Sequence, residues 1–139
     1  MIFTLVVQQM RVQHVYDFAP LDRVPDGPTS ATVSAKRLLS SETLQTGKSS
    51  TVGVVLAGSH IIVTLGRQAQ GSGAKAHTHP NEQFTLVVEG ELEGELAGER
   101  MRVGERCMLH VPAGTAHSLT ARNGALVVTA QDARHAFTA

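Results

Sequence analysis

The chain has 139 residues, enough for one domain with a core that needs no disulfides. Twelve basic residues against twelve acidic ones, with one tyrosine and no tryptophan, give no electrostatic footprint for nucleic acid. No apolar run approaches the roughly 20 residues of a membrane-spanning helix. Cys107 is the single cysteine, which excludes a disulfide framework and a thiolate zinc cluster and leads us to expect a reducing, cytoplasmic setting.

Residues 1–19 carry strand formers (Val6, Val7, Val12, Val15, Tyr16, Phe18) and read as a strand or ordered arm, expected to lie across a second copy in a homodimer. Residues 20–29 hold three prolines and an Asp-Gly pair and read as a loop, so 1–29 is set apart from a domain over 30–139. Strands are predicted over 30–40, 51–57 and 60–65, the last rich in β-branched residues. Gly66 to Ala76, rich in glycine and alanine, reads as a loop. Strands follow over 83–89 and 107–111. Between them, 91–96 and 99–103 form a hairpin about Ala97-Gly98 with one wet face. Residues 125–130 are the last strand. No long run has helical period, and turn signals recur every 8–12 residues. The pattern is all-β, a sandwich or barrel.

The chemistry concentrates in His77-Thr78-His79-Pro80-Asn81-Glu82-Gln83, read with the distant His117. Histidines two apart on a strand share a face, and Gln83 keeps the same parity. Neutral imidazoles and an amide oxygen are metal-ligand atoms. His77, His79, Gln83 and His117 are therefore the candidate ligand set for one divalent transition metal, with Zn, Ni, Mn and Fe all acceptable to such a nitrogen-rich site. Glu91, Glu93 and Glu95 share a face and read as solvated acids. Arg67 and His110 read as surface residues, and Cys107 as a core thiol. Gly47-Lys48-Ser49 lacks the upstream glycine of a phosphate loop.

Gly71, then His77-x-His79, Gln83 and Gly90 resemble the first motif of the cupins. Pro112-x-Gly114-x-x-His117 resembles the second. The resemblance covers about residues 30–135 and implies a jelly-roll barrel (a double-stranded β-helix), commonly dimeric, whose motif residues hold one divalent metal. The family's first motif usually has glutamate where this chain has Gln83. Some cupins resemble this chain in carrying glutamine there, including ones that process unsaturated uronates. Seven residues separate Gly104 from Pro112 where five is usual, which predicts a bulge in the strand entering the site.

Glutamine for glutamate leaves four neutral ligands, so the ion's charge is not offset and it favours anionic substrates. The expectation is a metal-dependent enzyme for a small-molecule carbonyl, hydroxy-acid or sugar-derived substrate. Isomerisation, ring opening, cyclisation and lyase chemistry all fit, with His60 or Asp132 as the group that moves the proton. Asp132 is chosen because uronate-processing cupins use a C-terminal aspartate. The alternatives are an iron-dependent dioxygenase and a non-catalytic module that binds a small ligand. Neither nucleic acid nor membrane is expected as a partner.

Overall fold

The computed structural model describes residues 15, 27–28, 34–38, 42–43 and 51–132. The expected N-terminal arm lies outside the described residues apart from Val15. In chain order the strands are β1 (Gly27–Pro28), β2 (Ser34–Leu38), β3 (Glu42–Thr43), β4 (Thr51–Ala57), β5 (Ile61–Gln68) and β6 (Ser72–His77). They continue with β7 (Gln83–Gly90), β8 (Leu92–Leu96), β9 (Glu99–Val103), β10 (Met108–Val111), β11 (His117–Ala121) and β12 (Ala125–Asp132). No helix occurs among the described residues. The strands form a seven-stranded sheet in the order β1-β2-β4-β5-β12-β7-β10 and a five-stranded sheet in the order β3-β6-β11-β8-β9. Each pairing is antiparallel. This is the expected jelly-roll barrel.

Alternation along the strands decides what the barrel encloses. On β7, Gln83, Thr85 and Val87 are buried, while Phe84 and Val88 are exposed. The main core joins Val87, Leu92, Val103, Leu109, Val111, Ala121, Ala125 and Val127. Both sheets contribute to it, so closing the barrel removes these side chains from water at roughly 1.5–3 kcal/mol per large aliphatic group.

The expected hairpin is present. Leu92 to Leu96 pairs with Val103 to Glu99, and Ala97 and Gly98 both take positive φ at the turn. Its wet face is ion-paired: Arg102 meets Glu91 and Glu93, and Arg122 also meets Glu93. The expected bulge is seen as well. Arg106 donates its backbone N–H to Val87, and Cys107 accepts from the Val87 N–H, so two residues oppose one, with Arg106 at φ 64°.

Three expectations are corrected. Gly66–Ala76 is not a loop. It forms the end of β5, a tight turn and most of β6. Its small residues serve close strand contact: a Cβ at Gly73 would collide with the Leu119 carbonyl on β11. Gly27–Pro28, expected in a loop, pairs with Ala35 and Ser34. Cys107 is exposed, because the bulge places it ahead of β10 and out of the core.

Candidate metal centre

Strand register brings the first two histidines together. His117, which opens β11, lies directly opposite His77, which closes β6. Directly opposed residues project from the same face. The register slips between His117 and Leu119, so β6 carries an extra residue beside the site. His79 arrives from the segment between β6 and β7. Its carbonyl accepts from the Gly114 N–H at 2.9 Å, which ties the two histidine-bearing segments together. Gly114 stands at φ 71°, a conformation glycine adopts without strain.

The ring centroids of His77 and His117 are 4.4 Å apart, those of His79 and His117 4.9 Å, and those of His77 and His79 5.6 Å. One nitrogen from each ring lies within 4.8 Å of the others. His79 and His117 are buried, and His77 is at the exposed rim.

The other nitrogen of each ring is held. His77 Nδ1 faces the Lys75 carbonyl at 2.6 Å, His79 Nδ1 faces the Asn81 carbonyl at 2.9 Å, and His117 Nδ1 faces the Thr115 carbonyl at 2.9 Å. A carbonyl only accepts, so each Nδ1 carries the proton and donates. Each neutral ring then keeps its lone pair on Nε2, the tautomer a metal ligand needs. Burial pushes the His117 imidazole below its ordinary value. The Thr115 carbonyl opposes this, and the neighbouring His77 and His79 add to the lowering. The ring is therefore uncharged at neutral pH and able to ligate. The residues present fit a divalent transition ion: three imidazole nitrogens from separate backbone positions, each oriented by a backbone carbonyl.

Gln83 is buried at the start of β7, on the inward face. Its Oε1 accepts from Gln131 Nε2 at 2.9 Å, and its Nε2 donates to Thr85 Oγ1 at 2.8 Å. Thr85 in turn meets Thr129 Oγ1 at 3.1 Å.

His60 and Asp132 do not join the histidine cluster. They line a pocket of about 370 Å³ with Ile61, Glu82, Phe84, Ala130 and Gln131. Asp132 pairs with Ile61, whose side chain is exposed on the outer face of the sheet. The reason is parity, since Gln131 takes the inward position at the end of β12 and Asp132 the outward one.

Two residues at this site escape sequence reasoning. Gln131 holds Gln83 from a strand 48 positions away. Asn81 is almost fully buried, holds His79 through its own carbonyl, and donates from Nδ2 to the Asp132 carbonyl at 2.6 Å. Its position inside the His-rich stretch was the one available signal.

Residues 62–130 match the family model of the cupin domain. The barrel is a cupin domain. Among solved structures, the cupin resembles an RmlC-like cupin from Shewanella frigidimarina, with a TM-score of 0.59 and 15% identity over 91% of this chain and 97% of that one. It also resembles KdgF from Halomonas sp., with a TM-score of 0.56 and 24% identity over 61% and 80% of the two chains. A third likeness is the Cnp3 cupin domain of Schizosaccharomyces pombe, with a TM-score of 0.54 and 10% identity over 69% and 86%. At these identities the likenesses speak for the fold. No curated protein matches the chain.

Proposed function

We propose that His77, His79 and His117 hold one divalent transition metal with Gln83 as fourth ligand. On this reading the cupin is an enzyme for a small hydroxy-carbonyl or hydroxy-acid substrate, sugar-derived ones included. One observation carries it: three imidazoles converge, with one nitrogen of each within 4.8 Å of the others and every Nδ1 tied to a carbonyl. When bound, the ion supplies Lewis acidity toward a carbonyl or carboxylate oxygen.

The remaining work falls to the chain. The four ligands are neutral, which favours an anionic substrate. Gln131, Thr85 and Thr129 line the inner wall beside Gln83 with amide and hydroxyl groups. Such groups orient a substrate's hydroxyls without titrating near neutral pH. His60 and Asp132 share a pocket at the strand ends that is apart from the histidine cluster, so the proton transfer is not assigned to them. Isomerisation, ring opening, cyclisation and elimination are the reaction classes this reading covers.

Metal analysis of protein purified without added metal, followed by turnover of hydroxy-carbonyl acids, tests the reading. Stoichiometric zinc, nickel or manganese with turnover supports it. Oxygen consumption with ferrous iron, and no turnover with zinc or nickel, replaces it with an oxygenase. Tight ligand binding without turnover replaces it with a binding module.

We propose that a homodimer, expected to be crossed by the arm over residues 1–19, also buries the outer face of the seven-stranded sheet. Ile61 and Met108 are 58% and 59% exposed there, and Phe84 and Val88 share the face. Met108→Glu should shift the solution mass from dimer to monomer; an unchanged dimer would move the contact elsewhere.

A further inference from the structure

The end of β12 grips the ligand-bearing segment at three points. Gln131 Nε2 donates to Gln83 Oε1 at 2.9 Å, Asn81 Nδ2 donates to the Asp132 carbonyl at 2.6 Å, and the Asp132 N–H donates to the Glu82 carbonyl at 3.3 Å. Two of these bonds hold backbone. The Gln131 bond holds the amide oxygen assigned to the metal. The Gln83 amide is caught at its other end too, because Nε2 donates to Thr85 and Thr85 leans on Thr129.

A glutamine side chain has three rotatable bonds and an amide that can turn by half a revolution. Free in a cavity, it would present oxygen or NH₂ to an ion. Here Gln131 Nε2 donates to the amide oxygen and the Thr85 hydroxyl accepts from the amide NH₂, so the observed orientation satisfies both ends. The carbonyl oxygen has two lone pairs. One accepts from Gln131, and the other stays available.

We propose that Gln131 is the positioning residue of this centre: it fixes the Gln83 amide so that Oε1, and not Nε2, is offered to the metal. This rests on the reading of Gln83 as a ligand. Groups that orient metal ligands typically account for roughly ten- to a hundredfold in metal affinity. They act through the ligand they hold, so their effect vanishes when that ligand is removed.

The test is a double-mutant cycle on the full-length chain with cobalt(II), read by affinity and by the visible absorption of the bound ion. Gln131→Met keeps length and volume and removes the donor. Gln83→Met removes the oxygen. Thr85→Val removes the partner at the other end of the amide and serves as a second, near-isosteric probe. Urea unfolding of the metal-free variants checks the fold.

Gln131→Met should weaken cobalt binding by roughly tenfold or more and shift the visible bands. Gln83→Met should do at least as much. The double variant should match Gln83→Met alone, and Thr85→Val should likewise lose its effect in that background. Losses that multiply in the double variant would overturn the proposal, because Gln131 would then act independently of Gln83. So would a Gln131→Met protein with wild-type affinity and spectrum. If Gln83→Met itself binds cobalt with unchanged affinity and spectrum, the four-ligand reading fails, and the positioning role falls with its premise.

Discussion

The two halves of this barrel's interior use the same strands for opposite purposes. Along β7 the inward residues run Gln83, Thr85, Val87. Along β12, which pairs with it, they run Gln131, Thr129, Val127, Ala125. One end is aliphatic and joined to Leu92, Val103, Leu109 and Ala121. The other is polar, and its groups are paired with each other: Gln131 with Gln83, Gln83 with Thr85, Thr85 with Thr129. Burying an unpaired amide or hydroxyl costs about 1–3 kcal/mol, so the polar end is tolerated only because its members satisfy one another. The comparison separates what holds the barrel shut from what equips it, although both lie on the same two strands.

Changes at the two ends should therefore have separable effects. The largest is expected at the histidines. Alanine at His79 or His117 should lower metal affinity by more than roughly 100-fold, beyond what ligand-orienting groups account for. Competition with a chromophoric chelator measures this, and an unchanged affinity would remove that residue from the centre. Next comes Leu92→Ala at the aliphatic end. It should cost about 2–5 kcal/mol in urea unfolding while the folded protein keeps its metal stoichiometry. Loss of metal from the folded Leu92 variant would mean that the two ends are not separable.

Gln83→Glu sharpens the contrast from the polar side. A carboxylate offsets part of the ion's charge, so metal should bind more tightly and the preference for anionic substrates should weaken. Titration with zinc and inhibition by small hydroxy acids report the two effects. A fall in affinity would show that the Gln131 and Thr85 partners reject a carboxylate. Thr129→Val should be milder, at about 1 kcal/mol of stability for one lost hydrogen bond.

The smallest effect concerns pH. Burial, first among its causes, holds the folded-state pKa of His117 below the ordinary 6.5. Between those two values the unfolded chain takes up more protons than the folded one. The stability of the metal-free protein should thus be full above about pH 6.5 and fall as the pH drops through that window. His117→Asn should flatten the slope in urea midpoints measured from pH 7.5 to 5. An unaltered slope would place the titration elsewhere.

Much of the site is legible in the sequence. His77-x-His79, Gln83 and the distant His117 stand out because imidazole and amide are metal-ligand groups and the spacing keeps one face. The β8–β9 hairpin and the all-β class followed from alternation and turn residues. Gly66–Ala76 reads as a loop because small residues signal both looping and close strand approach, and only the Leu119 carbonyl beside Gly73 distinguishes the two. His60 is a candidate by its imidazole chemistry and Asp132 by the family resemblance, and a one-residue difference in parity turns Asp132 outward while Gln131 turns in.

By itself the sequence determined the element types, the inward and outward residues of the strong strands, and the identity of the converging histidines. These depend on local alternation and on side-chain chemistry, which a linear chain carries in full. Only the tertiary structure decided that His117 faces His77, that carbonyls two residues away set all three tautomers, and that β12 holds Gln83 through Gln131. Each of these depends on register between strands distant in the chain. Register is settled by the packing of the whole barrel, where one residue of slip would turn every such side chain to the other face.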